Sequence, residues 1–109
     1  MDTRTEVIVD ILQNHRGREN AIKGRLLAER HSITEVELRS IRNAAQALGR
    51  PIGSHPEFGY FAIIDYEDFR LSVSQLASRV KGLLQAIKGL NNTFSGLRES
   101  TQTHQTILG

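Results

Sequence analysis

The sequence of 109 residues contains no cysteine and no tryptophan, and it has only two prolines. Without cysteine the chain can form no disulfide framework, no thiolate zinc site and no redox pair. No apolar run approaches the roughly 20 residues of a membrane-spanning helix, and the polar start of the chain, residues 1–6, does not resemble a secretory signal. These absences predict a cytoplasmic protein with one domain and an extension.

Acidic residues are missing from a long C-terminal stretch. Between Phe69 and Arg98 the sequence has five lysines and arginines and no acid, whereas residues 1–64 hold nine basic and eight acidic side chains. The net charge of the whole chain is only +2. A basic stripe of this kind is typical of a surface that binds nucleic acid or another anionic partner, and equally of a solvated helix face.

The sequence also lacks residue patterns that are typical of catalysis or of metal binding. The four histidines, His15, His31, His55 and His104, are not spaced as ligands on one helix and have no suitable acid cluster on the same helix. No segment resembles a nucleophile elbow or a glycine-rich phosphate loop. We therefore expect neither an enzyme nor a cofactor or metal site.

Apolar residues at spacings of three and four predict three helices in the first half of the chain. We expect them at residues 3–15, 24–31 and 35–48, with a short extended piece at residues 21–23 between the first two. Two capping-box patterns, in which a threonine is followed three residues later by glutamate, mark the starts of the first and third helices. These patterns are Thr3 with Glu6 and Thr34 with Glu37.

The third predicted helix divides into two faces, and Gly49 ends it. The apolar face, expected to be buried, comprises Leu38, Ile41, Ala45 and Leu48. The opposite face, expected to be exposed, comprises Val36, Arg39, Ser40, Asn43 and Gln46. Arginine can form two hydrogen bonds with a guanine edge, and asparagine or glutamine can do so with an adenine edge, so the exposed face suits a DNA major groove.

A β-hairpin is predicted after the third helix. Two extended segments, residues 50–54 and 60–64, flank a tip that contains Pro56 and Gly59. Ile52 is expected to be the buried residue of the first strand. The predicted fold class is therefore mainly α with a small β-hairpin, followed by a long C-terminal helix.

That long helix is predicted from a sustained heptad repeat within residues 65–98. Its apolar residues are Phe69, Val73, Leu76, Val80, Leu83, Ile87, Leu90, Phe94 and Leu97. β-branched residues at a positions with leucine at d positions favour a parallel two-stranded coil. Because a stripe of about 30 residues is longer than a domain of about 65 residues can cover, we expect a homodimer through this helix. The alternative is packing against the globular part of the same chain.

Two further features accompany the repeat. Gly82, Gly89 and Gly96 also recur every seven residues, although each costs roughly 1 kcal/mol relative to alanine inside a helix. Residues 99–109 are polar and aperiodic, and we expect them to form a disordered tail.

Residues 22–41 resemble the pattern I-x-x-x-x-L-A-x-x-x-x-I-S-x-x-x-L/V-R of bacterial winged helix-turn-helix domains. Residues 49–54 followed by residues 59–61 resemble the wing of these domains, G-x-P-I-x-S and then G-Y. The pattern is similar to that of the DNA-binding domain of biotin protein ligase/repressors and of small phage-encoded winged-helix proteins. The sequence departs from it at Arg42 and Ala45, where these families more often place larger apolar residues on the core face. The rotation of the third helix is therefore left open.

The resemblance implies sequence-specific binding of double-stranded DNA with the third helix in the major groove. Together with the dimer expected from the heptad repeat, it indicates a dimeric transcriptional regulator, for example one of a phage. In a dimer the two recognition helices are expected about 34 Å apart, one turn of DNA. The residues expected to contact DNA are Lys23, Arg25, Thr34, Glu35, Val36, Arg39, Ser40, Arg42, Asn43, Gln46 and His55. The alternative is a winged-helix module for protein–protein assembly, for example an accessory factor of a phage replication complex.

Overall fold

The computed structural model describes the backbone of residues 2–101 and the side chains of residues 2–96. In chain order the elements are helix α1 (Thr3–Asn14), a single 3-10 turn (Arg18–Asn20), helix α2 (Gly24–Arg30), helix α3 (Glu35–Ala47), strand β1 (Ile52–His55), strand β2 (Gly59–Ala62) and helix α4 (Tyr66–Thr101). The chain is mainly helical with a two-stranded antiparallel hairpin and a long C-terminal helix, so this predicted fold class is confirmed. It divides into two compact units, Met1–Gln75 and Leu76–Gly109.

Helix α1 begins with an aspartate cap, and the predicted capping box of Thr3 and Glu6 is wrong. The Asp2 carboxylate accepts a hydrogen bond from the Thr5 amide at 2.8 Å. Because Asp2 occupies the N-cap position, Thr3 lies inside the helix and cannot serve as the cap. The helix ends at Asn14, one residue before its predicted end.

Strand β2 forms backbone hydrogen bonds on both of its sides. It pairs with β1 in an antiparallel register that places Ile52 opposite Ala62. On the other side the Gly17 amide donates to the Ala62 carbonyl at 2.8 Å. Ile22 and Tyr60 exchange two further bonds of 2.9 and 2.8 Å, which confirms the predicted extended piece around Ile22. The hairpin is therefore fastened to the link between α1 and α2.

Two glycines permit this close pairing. Gly59 has a φ of +104°, and a Cβ there would lie 2.2 Å from the Ile22 carbonyl oxygen. Gly17 has a φ of +81° in the link that follows α1. Neither backbone conformation is readily adopted by a residue with a side chain.

The core of the first unit lies between α1, α2, α3 and the hairpin. Its buried apolar residues are Val7, Ile11, Ile22, Leu27, Ala28, Leu38, Ile41, Ala45, Ile52, Tyr60, Phe61 and Ala62. Three of the four residues expected on the buried face of α3 belong to this set, but Leu48 is 79% exposed, so that prediction is wrong. Leu48 is the C-cap after Ala47, and the chain turns at Gly49 with a φ of +79°. The side chain thus leaves the periodic face.

The first turns of α4 pack on the hairpin within the first unit. The Asp65 carboxylate caps the helix by accepting the Asp68 amide at 2.8 Å. One turn later Ser72 is buried, and a Cβ on Gly53 of β1 would lie 2.1 Å from the Ser72 hydroxyl oxygen. Only a glycine in β1 allows the helix to approach so closely.

In the second unit, α4 continues to Thr101, three residues past the expected end of the helix at residue 98. The rest of the expected disordered tail, residues 102–109, lies outside the described residues. Across the described part of the chain, no helix combines the length and apolar character needed to cross a membrane.

Candidate functional site

Helix α3 presents a polar face to solvent. Its exposed side chains are Glu35, Val36, Glu37, Arg39, Ser40 and Asn43. The capping box predicted at the start of α3 is confirmed, since the Thr34 hydroxyl oxygen accepts the Glu37 amide at 3.0 Å and Glu37 Oε1 accepts the Thr34 amide at 3.2 Å. Thr34, expected to contact DNA, is therefore engaged in holding the first turn of this helix.

Arg39 is the exposed cation of this face. Within residues 2–96 its guanidinium forms neither a hydrogen bond nor an ion pair, so its N–H donors face solvent. Val36, 67% exposed, and Ser40 lie on the same side of the helix. A guanidinium, a hydroxyl and an apolar side chain are groups that read base edges in a major groove.

Arg42, which is among the residues expected to contact DNA, does not lie on the exposed face of α3. The residue is 8% exposed. Its Nη1 donates to the Ser54 hydroxyl oxygen at 3.2 Å, and its guanidinium carbon lies 5.8 Å from the centroid of the Tyr60 ring. Because Ser54 and Tyr60 are cross-strand partners, Arg42 joins α3 to both strands of the hairpin. Arg42 therefore lies on the core-facing side of α3.

Gln46 also differs from its expected exposure. It is half-buried, and its Nε2 donates to the Ile52 carbonyl at 3.0 Å. This bond ties the last turn of α3 to the start of β1. The amide nitrogen of Gln46 is therefore engaged within the fold.

Lys23 and Arg25 lie at the start of α2, and both are exposed as expected. The Lys23 ammonium donates to the carbonyl oxygen of Glu57 in the hairpin turn. Arg25 pairs with Glu29 one turn along α2, with Nη1 and Oε1 3.2 Å apart. Such an exposed pair contributes little to stability, so Arg25 can exchange this partner for a phosphate at small cost.

His55 is built into the hairpin turn. It is half-buried, its Nδ1 accepts the Glu57 amide at 3.1 Å, and its ring centroid lies 5.1 Å from that of Phe58. Only its remaining ring edge is left to contact a partner. Arg50, at the other end of β1, is exposed.

A cluster of polar side chains surrounds one buried carboxylate, Asp10, between α1 and α2, and the sequence patterns do not predict it. Asp10 is 8% exposed, and its Oδ2 lies 2.8 Å from His31 Nε2 and 3.2 Å from Arg30 Nη1. Asn14 donates to the other oxygen at 2.9 Å, and His15 Nε2 lies 3.6 Å from it. The signal in the sequence is that Asp10 falls on the apolar stripe of α1, between Val7 and Ile11.

The charge of Asp10 is stabilised where it lies. Burial raises the pKa of its carboxyl, but hydrogen bonds from Asn14 and His31 and the nearby charges of Arg30 and His15 lower it further than burial raises it. The net result is a pKa below the ordinary value of 3.8. Asp10 therefore remains ionised and joins the ends of α1 and α2.

A second buried carboxylate fastens the start of α4. Asp68 is fully buried, and its Oδ1 lies 2.7 Å from Arg18 Nη1, while its Oδ2 accepts the Ile64 amide at 3.1 Å. Burial raises the pKa of Asp68, but Arg18 and the amides of Ile64 and Arg18 lower it by more. Arg18 also pairs with Asp65 at 3.1 Å. Arg18 is thus engaged within the fold.

The second unit displays an unpaired apolar stripe. Within the described side chains of this unit, the a and d residues Leu76, Val80, Leu83, Ile87 and Leu90 are exposed and Phe94 is half-buried. Phe69 and Val73, in the first unit, are exposed as well, and the Leu97 side chain lies outside the described residues. A Cβ on Gly82, Gly89 or Gly96 would meet no atom within 4 Å.

Within the described residues, no three histidine, aspartate or glutamate side chains are grouped so that they could hold a metal ion. The exposed face of α3 and the apolar stripe of α4 are the candidate functional surfaces. No protein-family profile, curated protein or solved structure matches this chain.

Proposed function

We propose that the protein binds double-stranded DNA sequence-specifically as a dimeric transcriptional regulator, for example one of a phage, acting in the cytoplasm. The observation that carries the proposal is the division of α3 into two faces. Leu38, Ile41 and Ala45 are buried, while Arg39 and Asn43 project to solvent from the opposite side. A helix of this kind can be inserted in a major groove without disturbing the core behind it.

The elements around α3 support the same proposal. A short turn, residues 31–34, joins α2 to α3, and the hairpin follows α3 directly. This order resembles a winged helix-turn-helix, in which the helix before the recognition helix crosses the DNA backbone. Lys23 and Arg25 at the start of α2 are exposed cations suited to phosphate.

The geometry sorts the expected contact residues by role. Val36, Arg39, Ser40 and Asn43 are the residues that we assign to base edges. Glu35 lies at the edge of this face, where its carboxylate can accept a hydrogen bond from a cytosine amino group. We assign Lys23, Arg25 and the free ring edge of His55 to contacts with the DNA phosphate backbone. Thr34, Arg42 and Gln46 hold α3 in place.

The dimer is the part of the proposal that rests on α4. Fully burying a large apolar side chain contributes roughly 1.5–3 kcal/mol. Covering the exposed stripe of the second unit would therefore stabilise an assembled form considerably. In a parallel pair Arg79 at a g position faces Leu84 at the next e position, so no like-charged pair opposes association. A second copy of the same helix can therefore cover the stripe.

A salt titration tests DNA binding. The full-length protein is titrated with a random duplex and then with a duplex selected by the protein, between about 50 and 200 mM salt. We expect affinity to fall more than about tenfold over this range, because each neutralised phosphate releases counterions. Arg25→Ala should lower the slope of log affinity against log salt concentration by about one for each phosphate contact that is lost. Arg4→Ala, an exposed arginine of α1 outside the proposed interface, is the control and should leave the slope unchanged.

The second candidate function is protein assembly, and the acids of α3 favour it. Glu35 and Glu37 are exposed on the first turn of α3, and residues 1–64 carry a net charge of only +1, from nine basic and eight acidic side chains. Exposed apolar side chains at Val36 and Leu48 suit a protein partner. The absence of duplex binding at low salt would overturn the first proposal and favour this one.

A further inference from the structure

Two adjacent residues of α3, Arg42 and Asn43, are joined by a pair of hydrogen bonds. Nε of Arg42 donates to Oδ1 of Asn43 at 3.2 Å, and Nη2 donates to the same oxygen at 3.0 Å. Arg42 is itself held between the hairpin strands, with Nη1 3.2 Å from Ser54 Oγ and its guanidinium over the Tyr60 ring. Because Arg42 is anchored on the hairpin, it fixes its neighbour Asn43 as well.

These bonds determine which way the Asn43 amide faces. A carboxamide oxygen has two lone pairs, and Oδ1 of Asn43 already accepts two hydrogen bonds from Arg42. The opposite orientation would point the Asn43 amino group at the guanidinium, donor against donor. The amino group is therefore the part of Asn43 that remains for a partner, and it can only donate.

An asparagine that can only donate reads DNA differently from a free one. A free asparagine pairs with adenine in two places, accepting from the N6 amino group and donating to N7. Guanine presents two acceptors, O6 and N7, in the major groove, whereas adenine presents one acceptor and a donor. The two amide hydrogens of a held asparagine match guanine and oppose the adenine amino group.

We propose that Arg42 is a positioning residue for specificity, and that it makes Asn43 select guanine in place of adenine. This inference rests on the proposed DNA binding. It reverses the adenine preference that an asparagine on a recognition helix suggests by itself. It also gives a function to an arginine on the core-facing side of α3.

Selection from a random duplex library, followed by sequencing, tests the assignment in the full-length protein. The base position read by Asn43 is the one whose preference disappears in Asn43→Ala. We expect the wild type to prefer guanine over adenine there by roughly fivefold or more. Arg42→Met, which keeps a long apolar stem against Tyr60 but has no donors, should free the oxygen and move the preference to adenine.

Two further variants distinguish the base contact made by Asn43 from its positioning by Arg42. Asn43→Asp keeps Arg42 and leaves one carboxylate oxygen to accept, so the preference should move to cytosine, whose N4 amino group donates. Asn43 is exposed, so this variant tests the inference even if Arg42→Met does not fold. Arg39→Met is the matched control, and it should weaken binding without changing the base at the Asn43 position.

The hydrogen bonds between Arg42 and Asn43 can also be tested without DNA, by hydrogen exchange. In NMR spectra the Arg42 Nε–H should exchange with solvent several-fold more slowly than the Arg39 Nε–H, and Asn43→Ala should remove this protection. A wild-type preference for adenine, or unprotected Arg42, would overturn the inference while leaving DNA binding intact. Protected Arg42 with no sequence enriched from the library would overturn the proposed DNA binding and with it the base selection.

Discussion

Buried polar side chains organise the first unit at the scale of single residues. Asp10, Asp68 and Arg42 are each less than a tenth exposed, and each is surrounded by partners of opposite charge or complementary hydrogen-bonding capacity. Replacing one of these residues leaves half-buried groups such as His31, Arg18 or Ser54 without that partner. A polar group kept from water without a partner costs more than the interaction contributes. We therefore expect substitutions at these residues to be among the most destabilising at polar positions of residues 2–96.

The exposed Arg39 gives the most direct test of the proposed interface. Because its guanidinium has no partner among the described residues, Arg39→Ala should leave thermal stability unchanged within about 0.5 kcal/mol. If the residue reads a base, specific binding should fall by roughly 1–3 kcal/mol, measured by fluorescence anisotropy on a selected duplex. Unchanged affinity would remove Arg39 from the interface.

Asp10 predicts how stability depends on pH. The pKa of Asp10 is lowered in the folded protein. Its contribution to the free energy of unfolding is therefore complete above about pH 3.8, the ordinary pKa, and is lost as the pH falls through the lower pKa of the folded protein. Asp10→Asn should cost roughly 2–3 kcal/mol at neutral pH, and its difference from wild type should shrink at acidic pH.

Urea unfolding at neutral pH and at about pH 3 measures this difference. Glu19→Gln, which removes an exposed acid, is the control and should lie close to wild type at both pH values. An Asp10→Asn variant as stable as wild type at neutral pH would show that the cluster does not stabilise the fold.

At the scale of single elements, α4 carries the least explained feature of the sequence. Gly82, Gly89 and Gly96 recur at c positions, and a Cβ at any of them would meet open space. Glycine inside a helix costs roughly 1 kcal/mol relative to alanine through the entropy of the unfolded chain. Nothing in the structure explains why glycine stands there.

Replacing two of these glycines tests whether the c positions face solvent in the dimer. Gly82→Ala with Gly89→Ala should stabilise α4 by roughly 1 kcal/mol per site, seen as a higher melting temperature by circular dichroism. Ser78→Gly, at an exposed position of the same helix, should lower it. A lower melting temperature for the alanine variant would mean that another backbone approaches the glycines closely.

At the scale of the whole molecule, the proposed dimer depends on the stripe of the second unit. Leu83 and Ile87 are exposed d and a residues near the middle of the stripe. Replacing both with asparagine should convert a dimer to a monomer in sedimentation equilibrium, because two of the largest apolar contacts of each chain are lost.

The matched control replaces residues on the other side of the same helix. Ser78→Asn with Gln85→Asn changes f positions and should leave the dimer intact. The first unit of both variants should retain its α-helical and hairpin spectrum, because its core lies within residues 1–75. A wild type that sediments as a monomer would contradict the coiled-coil prediction.

The sequence by itself determined the elements of this protein. The spans of α2, α3 and the hairpin, the cap at Thr34 and the buried faces of Leu38, Ile41 and Ala45 follow from residues within a few positions of one another. Helical periodicity, capping and turn formation are local effects, so a local pattern predicts them. Errors fell at element ends, as at Leu48, where one residue decides whether the periodic face continues.

Only the tertiary structure decided which side chains are free to act. Arg42 and Asn43 are neighbours in sequence, yet Arg42 faces the hairpin because Ser54 and Tyr60 supply its partners. Asp10 is buried because partners at the C-terminal end of α2, Arg30 and its C-cap His31, approach it from 20 and 21 residues away. A polar group is buried at little cost only where it has hydrogen-bond or charge partners. Partners that are distant in sequence cannot be predicted from a local periodic pattern.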